Sequence, residues 1–350
     1  MISKESYEEK HIRNIQEKTH RDPNLIERVI YAFGLLEALV KVNLPFIFKG
    51  GTCLMLLLDK PHRFSTDIDI VVDPKVNIDE YIIKISKIFP FVKQEEDIRE
   101  EKKGIIKRHF KFIYESPINK KSLNILLDVL FEKNYYQTTV EKKINMDMLI
   151  CDEKVLKVTI PTVDCLLADK LTAFAPHTIG IPIGKNKDME AMKQMYDIIT
   201  LIDVFEDINK VRSTYENICK TEIEYRGINT TIQNCVIDTF EASLCIASRG
   251  KIGFEDYKYY LKGINELHDH IFIENYSAEI AAVRVPKIMY MCMCLLNKKE
   301  FEKDIEPDMY ISKKIQNIEL KYLSYLRKVD SLAYAYVIMT DELYSQWKKI

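Results

Sequence analysis

The spacing of apolar residues changes character twice along the chain. Residues 24–40 carry Leu25, Val29, Phe33, Leu36 and Val40 at helical spacing, with Asp22-Pro23 as a start signal ahead of them. Residues 4–42 as a whole read as helix, the first part charged and lacking turn residues. The pattern then shortens. Phe46-Ile47-Phe48 is a short buried-strand run ended by Gly50-Gly51, and 52–58 suits a helix packed on a sheet. Residues 67–72 give a second strand, closed by Asp73-Pro74.

Helical period returns over 78–88. Residues 107–114 alternate as a strand does, and with 91–99 they predict a hairpin turning at Lys102-Lys103-Gly104. Residues 123–131 are an apolar strand interrupted by one acid, Asp128, and 155–160 form the last strand. After Pro161 only helical patterns remain, among them 188–202, 232–246 and 313–326. The expected fold class is α/β in the α+β sense. A small mixed sheet with flanking helices occupies 1–160, and a mainly α-helical C-terminal domain occupies 161–350.

Composition narrows the function classes. Basic residues number 51 against 53 acidic, a formal net charge of -2, which argues against binding by bulk positive charge and leaves a local basic groove open. Only 10 Gly and 11 Pro in 350 residues exclude a collagen-like or linker-dominated chain. No stretch approaches the roughly 18 apolar residues that a membrane span needs, and the polar, acidic N-terminus is not a secretory signal. Eight scattered cysteines, none in a Cys-x-x-Cys pair, read as small core residues. A soluble cytoplasmic protein without membrane partners is expected.

One constellation carries chemistry. Lys49-Gly50-Gly51-Thr52 is followed by Arg63-x-Ser65-x-Asp67-Ile68-Asp69. Two glycines after a buried strand let the backbone turn sharply near a ligand, and the next helix aims its N-terminal N–H groups there, which suits a phosphate. Asp67 and Asp69, two apart on a strand, leave the same face. Paired carboxylates suit Mg²⁺, which binds through one or two of them plus substrate phosphates. Chance alone gives about eight acid-x-acid pairs in such a chain, so context decides. Asp69 lies within Ile68-Asp69-Ile70-Val71-Val72, where an unpaired carboxylate is costly. The alternative is a strand-end pair that faces solvent or meets Arg63. Asp128, inside Leu127-Asp128-Val129, is either a third carboxylate beside that pair or a buried partner of a lysine or arginine.

Phe48-Lys49-Gly50-Gly51-Thr52 with Arg63-Phe64-Ser65-Thr66-Asp67-Ile68-Asp69 resembles the first motif of the AbiEii/AbiGii-type abortive-infection toxin family, in the nucleotidyltransferase superfamily. Asp128 resembles the superfamily's third acid. Asp169-Lys170-Leu171-Thr172-Ala173 is similar to the family's helical acid-Lys-Leu-x-Ala motif. Lys193-Gln194-Met195-Tyr196-Asp197-Ile198 is similar to its fourth motif. The match departs at Gln194, where many members carry an acid, and near His177, where many carry arginine. It covers roughly 45–202.

The resemblance implies a metal-dependent transfer of NMP from an NTP to an acceptor hydroxyl. Asp67, Asp69 and Asp128 would hold Mg²⁺, with Mn²⁺ as the alternative ion, and Asp128 would take the acceptor proton. Gly50, Gly51 and Thr52 would hold phosphates, Lys170 would contact the triphosphate, and Arg63 and Ser65 would brace the loop or touch phosphate. Asp197 would orient Lys170 or Lys193, although Lys193 equally suits a surface helix and Lys170 a helix edge. The helical domain would complete the cleft. The biological role implied is the toxin of a toxin–antitoxin pair in phage defence, with a cognate antitoxin and an RNA acceptor, tRNA 3′ ends foremost. Two other classes stay open: a small-molecule, antibiotic-type nucleotidyltransferase, and a non-catalytic nucleotide-binding interaction protein.

Overall fold

The alternation read along 107–131 becomes a sheet with two unlike faces. A computed structural model describes residues 1–58, 62–98 and 106–348. The turn expected at 102–104 lies outside the described residues. The chain divides into two compact units, Met1–Thr162 and Val163–Ile350.

The first unit opens with α1 (Glu9–Thr19) and α2 (Pro23–Lys41). The helix expected over 4–42 is therefore broken. His20 stops α1 in the left-handed region at φ 55°, its N–H returning to Gln16 O. Asp22 then caps α2 by accepting from Asn24 N, with Pro23 in the first helical position. There follow β1 (Ile47–Lys49), α3 (Gly50–Leu57), β2 (Ile68–Val72), α4 (Asp79–Ile85), β3 (Lys93–Glu96), β4 (Ile106–Glu115) and β5 (Ser122–Phe131).

The sheet runs in the order β1-β2-β5-β4-β3, with β2 and β5 parallel and the other pairs antiparallel. Period-two alternation sorts its residues. Phe48, Ile68, Ile70, Phe110, Phe112, Tyr114, Ile125, Leu127 and Val129 share one face and are all buried. Helix α2 covers this side, its Tyr31 ring stacked on Tyr114 at 3.8 Å between centroids. Glu27 of α2 is fully buried and accepts from Tyr114 OH (3.0 Å), Ser116 Oγ (2.9 Å) and Ile118 N (3.3 Å), so its desolvation is compensated by three donors. The opposite face carries the polar members of the same strands.

A second antiparallel sheet pairs β6 (Thr139–Lys143) with β7 (Lys157–Pro161). Sequence periodicity gave no sign of β6. Its residues, Thr-Val-Glu-Lys-Lys, contain one apolar side chain, so the strand is defined by pairing rather than by a buried face.

Val163–Ile350 contains only helices and turns, apart from one isolated bridge residue, among the described residues. Its long members are α5 (Val163–Ala173), α6 (Asp188–Val204), α7 (Ile208–Arg226), α8 (Ile232–Ala247) and α9 (Phe254–Leu267). Short α10 (Ala278–Arg284) precedes α11 (Pro286–Asn297), and α12 (Asp308–Ile311) and α13 (Leu326–Val329) precede α14 (Ser331–Trp347). Helix α11 packs against α8 and α14, and its Met289, Met291, Cys292, Met293 and Cys294 are core. The continuous helix expected over 313–326 is absent. Gln316 N and Asn317 N donate instead to the Asp341 carboxylate of α14, at 2.8 and 2.9 Å. That anchor diverts the backbone before a 3-10 turn, Ile318–Tyr325, resumes.

Candidate active site

The polar face of the five-stranded sheet carries one lateral row. In register, Lys49 of β1 stands beside Asp69 of β2, Asp69 beside Asp128 of β5, and Asp128 beside His109 of β4. Partners on neighbouring strands lie roughly 5 Å apart and point to the same side. The two acids that interrupt apolar runs are thus adjacent, and neither faces the core. Asp128 keeps 36% of its side chain exposed, so it is not the buried partner of a lysine or arginine. Its companion is His109, whose Nδ1 lies 2.7 Å from Asp128 Oδ1. A carboxylate only accepts, so Nδ1 carries the proton.

Gly50 sits against this row. Its φ is +81°, and a Cβ added there would fall 2.0 Å from Asp69 Oδ2. Only glycine meets both demands. A Cβ on Gly51 would come within 2.7 Å of Ser65 Oγ and 2.8 Å of an Arg63 guanidinium nitrogen. Helix α3 starts at Gly50, and Lys49 gives its first turn no side-chain cap. Those N–H groups therefore point out beside the Asp69 carboxylate.

The remaining residues of the first motif serve the loop. Thr52 is fully buried and its hydroxyl donates to Asp67 O at 2.6 Å, so its side chain is turned to the backbone of the Asp67 segment. Arg63, 5% exposed, donates to Phe64 O at 3.2 Å, and Ser65 N meets Met55 Sδ at 3.2 Å. Asp67 is exposed and lies one residue ahead of β2.

Among the described residues, no three His, Cys, Asp or Glu side chains are grouped closely enough to enclose a metal ion by themselves. Mg²⁺ does not require such a cage, because phosphates and waters fill most of its shell. The hard oxygens of Asp69 and Asp128, side by side in the row, fit that ion.

The later motifs belong to Val163–Ile350. Lys170 on α5 is buried. Its Nζ lies 3.0 Å from Asp197 Oδ2 and 2.9 Å from Gln194 Oε1, both on α6. Asp197 is fully buried, so Lys170 is its counter-ion. Gln194, where the family commonly has an acid, still presents an oxygen to the lysine. Lys193 is half-buried on the same helix. His177, at the other departure, places Nε2 2.9 Å from Asp256 Oδ2.

The family model described as "Nucleotidyl transferase AbiEii toxin, Type IV TA system" matches residues 34–283, a span containing both the sheet row and the Lys170–Asp197 pair. The chain belongs to this family. Its activity is nucleotidyl transfer, with an NTP as substrate and a toxin's place in a toxin–antitoxin pair. No curated protein sequence matches. Solved structures similar to this AbiEii-family chain include a putative nucleotidyltransferase from H. pylori, at 14% identity and TM-score 0.45, covering 79% of this chain and 99% of that one. JHP933 from Helicobacter pylori aligns at 14% identity and TM-score 0.36, covering 69% and 97%. An antigenic nucleotidyltransferase-like protein from Paracoccidioides brasiliensis aligns at 17% and 0.37, covering 57% and 89%. No helix among the described residues is long and apolar enough to cross a membrane.

Two members of the row escaped the sequence reading. His109 reads as an ordinary strand residue until the β4–β5 register sets it beside Asp128. Lys49 stands next to the glycines, but its place beside Asp69 depends on the β1–β2 pairing. The available signal was parity. Lys107, His109 and Lys111 occupy alternate positions opposite the buried Phe110 and Phe112.

Proposed function

We propose that nucleotidyl transfer takes place over the Lys49–Asp69–Asp128–His109 row. The carrying observation is the adjacency of Asp69 and Asp128 directly above Gly50. Nucleotidyltransferases use divalent metal; Mg²⁺, when bound, would neutralise triphosphate charge and orient it for in-line displacement. Asp69 and Asp128 would hold it, with the exposed Asp67 as the further carboxylate. The first N–H groups of α3, at Gly50, Gly51 and Thr52, receive phosphate oxygens at the helix's positive end. Thr52, Arg63 and Ser65 are positioning residues that keep the glycine turn closed against Asp69.

The acceptor hydroxyl attacks the α-phosphorus. A new O–P bond forms, the α–β bridging bond breaks, and pyrophosphate leaves. The acceptor proton passes to Asp128 Oδ2, which has no partner among the described residues, while His109 fixes Oδ1. In this reading Lys170, Lys193 and Asp197 set the framework of the helical unit, Lys170 through its buried pair with Asp197.

The acceptor we favour is RNA, with tRNA 3′ ends first. Lys107 and Lys111 flank His109 on the polar side of β4, Lys111 also meeting Asp97 at 3.3 Å. A basic flank suits a polyanion and repels a cationic antibiotic. Cytoplasmic residence, phage defence and a cognate antitoxin belong to the same proposal, and reduced cysteines suit that compartment. The test incubates each α-labelled NTP with total cellular RNA and Mg²⁺, beside Asp69→Asn. Label in a tRNA-sized band, absent with the variant, is expected. Transfer only to small molecules would discard the RNA, and no pyrophosphate release with any acceptor would leave the non-catalytic reading.

A further inference from the structure

Val163–Ile350 contains a half-open cavity of about 610 Å³ that nucleotidyl transfer over the sheet row leaves unused. Small-molecule sites typically span roughly 300–1,000 Å³. Part of its wall is an aromatic ladder. Phe240 stacks on Tyr344 at 5.3 Å between centroids, and Tyr344 on Trp347 at 6.0 Å, with interplanar angles of 18° and 23°. The charged wall residues include Glu241, Asp256 and Glu319.

These acids differ in how they are answered. Lys348 meets Glu319, and His177 Nε2 meets Asp256. Glu241 has no hydrogen bond or ion pair among the described residues. Burial and the neighbouring Asp238 both push its carboxyl pKa up. Among the described residues, two buried polar atoms nearby also lack partners. Tyr260, a wall residue only 1% exposed, has an unpaired hydroxyl, and Asp238, 4% exposed, has an unpaired Oδ1. The Glu241 carboxylate, with the unpaired Asp238 oxygen and the faces of the stacked rings, disfavours an anion, and the Tyr260 hydroxyl can serve as donor or acceptor. A cation can pair with Glu241 and lie against the ring faces at once, which a neutral ligand cannot do.

We propose that this cavity binds a small organic cation, an amine or guanidine on an aromatic or apolar body, with its charge at Glu241 and its body against Tyr344 and Trp347. Trp347 is the chain's single tryptophan, so its fluorescence reports occupancy directly. The probe is benzamidine, with benzamide as the neutral isostere, titrated into the full chain. A saturable change with benzamidine is expected, and about tenfold weaker binding for benzamide and for Glu241→Gln. Glu241 lies at the surface, so its variant keeps the fold, which circular dichroism verifies. An unsaturable response, equal binding of benzamide, or unchanged affinity in Glu241→Gln would each overturn the proposal. The readout does not involve nucleotides and is independent of the transfer reading.

Discussion

Asp128 and Asp197 look alike in the sequence, each a carboxylate in an apolar run, yet their surroundings are opposite. Asp128 lies on a strand, where period-two alternation turns it away from Leu127 and Val129 onto an open face. Asp197 lies on a helix whose whole circumference is packed at that level, so its carboxylate is fully buried and meets Lys170. The first is available to a ligand, and the second is neutralised inside the fold. An acid among apolar residues therefore marks a site only when its face is open. When the face is closed, the same signal marks a structural pair.

The largest effects separate those two roles. Asp69→Asn should lower nucleotidyl transfer on the order of 10³-fold, the size typical of losing a preorganised charge at the reacting centre. Its thermal midpoint should stay close to that of the parent, because the side chain is half-open. Labelled-NTP incorporation and a melt on the same preparation check both halves. Lys170→Met should do the reverse to stability. Removing one partner of a buried ion pair costs about 3–5 kcal/mol, here because Asp197 would be stranded without its cation. Denaturant unfolding measures it, and adding Asp197→Leu should restore much of the loss. If Lys170→Met unfolds no more easily than the parent, the buried pair is not structural and the contrast with Asp128 collapses.

A smaller effect tests how closely the glycine turn is fitted to the row. Gly50→Ala places a methyl 2.0 Å from Asp69 Oδ2 and forces a side chain into positive φ. The backbone penalty is about 1–2 kcal/mol, and the displaced carboxylate should cost about a further 10²-fold in transfer, as misplacement of reacting groups does. Gly227→Ala is the control. It also has positive φ, at 59°, but nothing lies within 4 Å, so it should lose stability alone.

Much of this was legible in the sequence, for physical reasons. The glycine turn and the alternating strands announce themselves because Gly and period-two burial are local properties. The division near residue 160 followed from the loss of strand patterns. Register is not local. That Lys49, Asp69, Asp128 and His109 form one row depends on three strand pairings, one of which, β2 with β5, joins segments far apart in sequence. Strand β6 was invisible because it buries almost nothing. The break in 313–326 was hidden because Asp341, 24 residues beyond Asn317, supplies the competing acceptor. The Lys170–Asp197 pair lay between, since the motif named both residues and only the packing of α5 on α6 joined them.

The smallest effect sharpens the contrast from inside the helical unit. Asp238 is a buried acid with no ion pair among the described residues. His177 N and Thr178 Oγ1 donate to its Oδ2, at 2.9 and 2.7 Å, and Oδ1 has no partner among those residues. Burial is the main cause that raises its pKa, outweighing these hydrogen bonds. The folded state therefore holds the proton more tightly than the unfolded chain. Stability from this proton is complete below the unfolded value of roughly 3.9 and is lost as pH rises through the raised folded value. Asn cannot ionise, so Asp238→Asn escapes that loss. Its stability relative to the parent should be lowest in acid and climb as pH passes the folded pKa. Melts of both proteins across the acidic to neutral range measure the difference. A gap that stays flat with pH would mean that Asp238 is as well compensated as Asp197, and a cation would then have to be sought beside it.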